Sequence, residues 1–330
     1  MPNPWKRIFC CALIALAPVV ARGNEIAELI KGAPPVPPGF PDMKEVEKAL
    51  SSGKVKLIKP SAQLPDAITV TKDIEYGKGG ETPLLLDLYV PKNITKPVPA
   101  LVFIHGGGWE GGDKKDYVVY NIDYAVKGYV TVSINYRLSK DAKFPAAVED
   151  CKCAIRWVRA NAAKYGIDPE KIGVIGGSAG GHLSLMAGYS DDPSLEGTGG
   201  NNDQSSRVQS VVNFYGVPDL TGDLAKDARE TNNFIGKKQD EDFAAYAKAS
   251  PVVHLDKSDP PTLSFHGTID NLVPHRETER LHANLDALGV PNAYEIFEGW
   301  PHTMDAAADI NAHCQYVIDR FLEKYLPLPK

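Results

Sequence analysis

Ser178 stands in Gly176-Gly177-Ser178-Ala179-Gly180, a GxSxG pentapeptide between the segment Lys171 to Ile175 and the start of a helical pattern. A serine on a sharp strand-to-helix turn is held in a strained backbone conformation, with glycines beside it where side chains would strike neighbouring strands. The turn lifts the hydroxyl above the sheet and sets it at a helix N-terminus, whose dipole favours developing negative charge. That is the setting of a nucleophile for acyl transfer. Upstream, His105-Gly106-Gly107-Gly108-Trp109 follows the apolar segment Ala100 to Ile104. Three glycines leave backbone N–H groups free to converge on one point, as an oxyanion requires. The amides of Gly107, Gly108 and Ala179 are the candidate donors. His105 reads as a clasp for its own loop and not as a base.

A serine nucleophile needs a base and a group that orients the base. His275, His282, His302 and His313 lie in the last part of the chain. His275 opens a helical segment and His282 and His313 lie inside helices. His302, in Glu298-Gly299-Trp300-Pro301-His302, follows a strand in a loop and has the reach to take a proton from Ser178. Asp270, in the loop from His266 to Pro274, is the candidate carboxylate; Asp219, Asp256 and Asp259 are its rivals. Trp109, Tyr136 and Trp300 are candidate walls for an aromatic acyl group, with plain packing as the alternative reading of each.

Those residues need elements to carry them. Ile68 to Tyr76 and Leu84 to Tyr89 read as an antiparallel pair across a glycine-rich turn. Strands then alternate with helices: strands at 100–104, 129–135, 172–176, 208–215, 261–266 and 293–298, helices at 117–127, 145–165, 180–188, 276–288 and 306–325. Such alternation means an α/β fold, a mainly parallel sheet covered on both faces, with ligands at the C-terminal ends of the strands. Ser190 to Gln209 is a loop rich in Gly, Asn and Asp, and 217–261 is an irregular insertion of the kind that forms caps and binding segments. The catalytic domain is therefore 67–330. Before it, 24–66 is a proline-rich extension with a short helix at Met43 to Leu50, either a linker or a cover for part of the site.

His105 to Trp109, Asn135-Tyr136-Arg137 and Gly176 to His182 resemble the α/β-hydrolase esterases of the hormone-sensitive-lipase and bacterial feruloyl/acetyl-esterase type. The resemblance spans roughly residues 68–325. It implies the α/β-hydrolase fold, an eight-stranded sheet and the order Ser, Asp, His, and it favours Asp270, whose loop matches the family's acid loop residue by residue. The hormone-sensitive-lipase branch carries Asp before its nucleophile, where this chain has Gly177. Gly176 to His182, Ser206-Arg207-Val208 and Phe214-Tyr215-Gly216 look more like the feruloyl-esterase-like branch associated with plant polysaccharides. The implied activity is hydrolysis of a carboxylic ester, with a small ester or an acylated polysaccharide as substrate. Short-chain carboxylesterase, amide hydrolase such as an arylformamidase, and non-catalytic binding domain are the other readings.

Bulk composition sets further bounds. Lys6 and Arg7 precede an apolar run from Ile8 to Val20, and small residues follow at Ala21 and Gly23. Residues 1–23 therefore read as a signal peptide, and the protein as secreted or periplasmic. The thirteen apolar residues are too few to cross roughly 30 Å of hydrocarbon. Cleavage moves the net charge from −6 to about −9, which excludes nucleic acid and anionic membrane surfaces as expected partners. Cys151, Cys153 and Cys314 remain, without metal-type spacing, and read as small buried apolar residues. With no HExxH, dinucleotide fingerprint or P-loop in context, no metal and no cofactor is expected.

Overall fold

Eight strands form one sheet in the computed structural model, which describes residues 24–59, 63–226 and 228–330. The segment read as a signal peptide lies outside the described residues. The strands are β1 (Ile68–Gly79), β2 (Thr82–Pro91), β3 (Val98–Ile104), β4 (Val130–Ile134), β5 (Ile167–Gly177), β6 (Ser210–Phe214), β7 (Thr262–Gly267) and β8 (Asn292–Phe297). Their order is β1-β2-β4-β3-β5-β6-β7-β8. The β1/β2 and β2/β4 pairs are antiparallel and all the others parallel.

Alternation along β3 shows how the sheet builds two cores. Ala100, Val102 and Ile104 face one apolar cluster, Leu101 and Phe103 the other, and all five are fully buried. Successive strand residues point to opposite faces, so a central strand sandwiched between helices must be apolar on both. The first cluster packs Val148, Ile155 and Val158 of helix Ala146–Ala160 against the sheet. The second packs Tyr120 and Tyr124 of helix Val118–Lys127 and Val317, Ile318 and Phe321 of helix Ala308–Tyr325. Helix Ala179–Tyr189, behind Ser178, is buried on nearly every face. Cys151, Cys153 and Cys314 are buried free thiols.

Two segments differ from the sequence reading. The single helix expected over 145–165 breaks at Asn161, into Ala146–Ala160 and the one-turn Ala162–Tyr165. Asn161 leaves the helical region (φ −99°, ψ 11°), and its side-chain amide donates to the Trp157 carbonyl at 2.9 Å, a local bond that competes with the helix. Among its described residues the insertion 217–261 holds three short α-helices, Asp223–Lys226, Arg229–Ile235 and Phe243–Lys248, and a 3-10 turn at Pro251–Val253.

The proline-rich extension lies against the domain. Phe40 N–H donates to Gly299 O at 2.7 Å, Trp300 Nε1 donates to Pro37 O at 3.2 Å, and the rings of Phe40 and Trp300 meet edge to face. Further on, Ile58 N–H donates to Ala306 O and Ala308 N–H to Lys56 O. The extension thus grips the segment that carries His302 on both sides.

Candidate active site

Ser178 follows the last residue of β5 and precedes the first residue of helix Ala179–Tyr189. Its backbone is left-handed (φ 57°, ψ −124°), a conformation that costs a non-glycine residue about 1–3 kcal/mol. The surroundings hold it there: Ser178 N–H donates to Phe214 O at 2.9 Å, and His182 N–H donates to Ser178 O at 2.9 Å. Gly180 is required by close approach, since a Cβ there would lie 2.0 Å from Ile104 O and 2.6 Å from His105 O. The pentapeptide is thereby pressed onto the start of the glycine loop.

In that loop Gly107 takes φ 105°, and a Cβ would meet Gly111 O at 2.4 Å. Among the described residues the amides of Gly107 and Gly108 donate to no protein group. The Ala179 amide opens its helix and has no partner one turn back. All three residues line one cavity together with Ser178 and His302. Unspent donors around a nucleophile can stabilise a negatively charged oxygen without first reorganising.

Trp109 ties the two motifs together. Its indole Nε1 donates to His182 Nδ1 at 3.2 Å, and its ring stacks on Phe234 of the insertion at 4.5 Å. His182 Nε2 bonds Ala249 O at 2.8 Å, so the proton sits on Nε2 and Nδ1 accepts. Burial pushes the pKa of this imidazole down to about 4, keeping it neutral and able to accept. His105 bonds the Gly106 carbonyl through Nδ1 at 2.8 Å and stacks on Tyr136 at 4.3 Å.

Of the three candidate wall residues, Trp109 lines the cavity; Tyr136 and Trp300 do not. Tyr136 is buried behind the glycine loop with its hydroxyl donating to His105 O at 3.0 Å. Trp300 is buried beneath Phe40 and donates to Pro37 O. Both rings are used up in supporting loops, so the expectation of a wall at either position is corrected. Tyr117, Tyr120 and Tyr215 supply aromatic surface instead.

Asp270 is fully buried at its side chain, and each oxygen has two donors. Oδ1 accepts from Leu272 N–H and Val273 N–H at 2.9 Å each. Oδ2 accepts from His302 Nδ1 at 2.6 Å and from His266 Nε2 at 3.1 Å. Burial alone would raise this carboxyl, but the bonds from His266 and His302 overrule it and hold its pKa well below the usual range. His302 Nδ1 is thus occupied, and Nε2 is left for Ser178. The rival carboxylates bond elsewhere: Asp219 to Thr221, Asp256 to Ser258, Asp259 to the Asp256 amide. His282 bonds Asn292, and His313 bonds Glu295.

His266 went unread in the sequence, because it ends a buried strand and nothing local marks it. Its Nδ1 bonds Thr278 Oγ1 at 2.7 Å and its Nε2 also reaches Val273 O at 2.8 Å. Asp305 was missed as well. It lines the cavity, buried, with hydroxyls of Tyr215 and Tyr120 on its two oxygens, and burial pushes its pKa up against those bonds. The cavity measures about 950 Å³. Glu110, Asp116, Asp219, Glu230, Glu277 and Asp305 line it against Arg229 and Arg280, which already pair with Glu110, Glu230 and Glu277. Ile58 of the extension reaches its rim.

Comparison with known proteins places this geometry. The BD-FAE family model matches residues 86–285. Esterase LipQ of Mycobacterium tuberculosis is 34% identical over 253 residues, which is 73% of this chain and 59% of LipQ, so the chain spans about three-fifths of that relative. Among solved structures, a truncated carbohydrate esterase from gut microbiota superposes with TM-score 0.67 at 29% identity, over 80% of this chain and all of that one. A propionate-bound thermophilic esterase, Est2 of the planctomycete Thermogutta terrifontis, gives 0.68 at 30% identity, over 80% and 97% of the two chains. The chain belongs to the BD-FAE family and has the α/β-hydrolase fold of its serine esterases.

Proposed function

We propose that this protein is an exported serine carboxylic ester hydrolase that removes acyl groups, feruloyl or acetyl, from plant polysaccharide. The observation that carries the chemistry is the shared cavity of Ser178 and His302, with His302 Nδ1 bound to Asp270 at 2.6 Å and three unspent amides beside Ser178. In this reading His302 Nε2 takes the Ser178 proton as Oγ attacks the ester carbonyl. The amides of Gly107, Gly108 and Ala179 hold the tetrahedral oxyanion. The C–O bond to the alcohol breaks as His302 returns the proton to that oxygen, leaving an acyl-enzyme. Water, deprotonated by His302, then attacks the acyl carbon and frees the carboxylic acid and Ser178.

Three observations support the substrate class. A cavity of about 950 Å³ has room for an ester attached to sugar units. A structural neighbour is described as a carbohydrate esterase. The N-terminal segment has the pattern of an export signal, which would bring the enzyme to external polymers. Binding of propionate by Est2 favours a second reading, a carboxylesterase for short acyl chains.

Methyl ferulate, acetylated xylan, and short- and long-chain 4-nitrophenyl esters distinguish them, with Ser178→Ala as the blank. Release of ferulate or acetate from the plant-derived substrates, abolished in Ser178→Ala, is the expected result. Turnover of nitrophenyl esters alone would favour the second reading, and turnover of none would overturn both.

A further inference from the structure

Just before the nucleophile the main chain passes two phenols. A Cβ at Gly177 would stand 2.8 Å from Tyr117 Oη and 3.0 Å from Tyr215 Oη, so both hydroxyls lie against the backbone that presents Ser178. Both residues line the cavity, and so does Asp305. Tyr215 donates to Asp305 Oδ1, and Tyr120 donates to Oδ2 at 3.2 Å. A carboxylate offers about four acceptor positions, so Asp305 keeps two for the cavity. Tyr117 differs from the other two phenols. Its ring is held by Phe103 and Tyr120, it is only 7% exposed, and its hydroxyl has no hydrogen-bond partner among the described residues. A phenol that faces the cavity and has no protein partner is free to bond a polar group of a ligand seated there.

We propose that Tyr117 and Asp305 form a subsite for a substrate hydroxyl group close to the scissile ester. A hydroxyl accepts from Tyr117 and donates to Asp305 at once, which neither a methyl group nor an ether can do. The substrates this selects are partial esters of polyols and sugars, in which a free hydroxyl neighbours the acylated one. The inference rests on the reading of Ser178 as an esterase nucleophile and deepens it by naming what the alcohol or acyl part must carry.

Two nearly isosteric esters test it, 2-hydroxyethyl acetate and n-propyl acetate. The quantity read is the ratio of their kcat/KM values within one protein preparation, so a loss of folded enzyme cancels. The wild type should favour the hydroxyl ester about tenfold, the value of one to two hydrogen bonds. Tyr117→Phe and Asp305→Asn should each bring the ratio to within about threefold of unity. Equal turnover of both esters by the wild type, or a ratio unchanged in both variants, overturns the subsite alone. Turnover of neither ester overturns the esterase reading and the subsite with it. A preference for 2-trimethylammonioethyl acetate over both, lost in Asp305→Asn, would overturn it in favour of a cation site.

Discussion

Replacing Asp270 by Asn tests the proposed mechanism most directly, because the structure dictates how the new amide must sit. Oδ1 accepts from the Leu272 and Val273 amides, two buried donors at 2.9 Å. An Asn NH2 cannot occupy that position without setting donor against donor. The Asn oxygen therefore keeps the two amides, and the NH2 takes the place of Oδ2, facing His302 Nδ1 and His266 Nε2. His302 must then accept at Nδ1 and carry its proton on Nε2, where it cannot take a proton from Ser178. Recovering the working tautomer means turning the amide over and losing two buried hydrogen bonds, at about 1–3 kcal/mol each. At 1.36 kcal/mol per decade, a penalty of roughly 2–6 kcal/mol lowers kcat by about 1.5 to 4.4 decades, roughly 30- to 25,000-fold. The assay is hydrolysis of 4-nitrophenyl acetate at neutral pH, with Ser178→Ala as the background and urea unfolding as the check on folding. An Asn variant within tenfold of wild-type kcat would refute the orientation argument. A linked effect has a definite sign. Because the folded-state pKa of Asp270 is depressed, its ionised form stabilises the fold above the unfolded carboxylate pKa of about 4, and that contribution fades as pH falls below it. The stability gap between wild type and Asp270→Asn should therefore narrow on acidification.

Other consequences follow from the packing. His282 is fully buried, bonded through Nδ1 to Asn292, and its pKa is pushed from 6.5 down to about 4 by burial. The unfolded chain binds the extra proton between those values, so the fold loses about 3 kcal/mol from this group as pH drops from 7 to 4. His282→Leu should remove that loss, seen as a gain of about 3 kcal/mol relative to wild type in urea unfolding at pH 4 compared with pH 7; parallel behaviour at both pH values would refute it. Gly180→Ala should reduce kcat at least 100-fold, because the new Cβ meets backbone oxygens that can yield only by moving the glycine loop. Wild-type kcat in that variant would refute the claim that this close approach fixes the glycine loop. At Gly39 a Cβ would lie 2.0 Å from Glu298 O. Gly39→Ala should lift the extension from the His302 loop and lower kcat about tenfold with little change in KM, and an unchanged kcat would mean the loop holds its shape unaided.

Much of the site was legible because its signals are local. Short continuous apolar runs and glycine punctuation mark buried strands and turns wherever they occur, so the positions of Ser178, the glycine loop and the loops carrying Asp270 and His302 followed from the sequence alone. The sequence also determined which of those residues have the chemistry for acyl transfer. It did not determine where side chains point once the chain bends. Trp300 sits two residues before His302, and Tyr136 belongs to the Asn135-Tyr136-Arg137 motif, yet both rings turn inward to support loops. Beside Trp109, the rings that do face the cavity are Tyr117 and Tyr120, one helical turn apart, and Tyr215, which follows β6 and joins them only through the packing of that helix on the sheet. His266 beside Asp270, the Trp109–His182 clasp and the grip of residues 37–58 on the His302 loop are likewise contacts that only tertiary packing decides. Local propensity sets the backbone menu, whereas a side chain's partner depends on neighbours tens to hundreds of residues away. Tyr215 and Asp305 are ninety residues apart in the chain, and packing alone joins them beside Ser178.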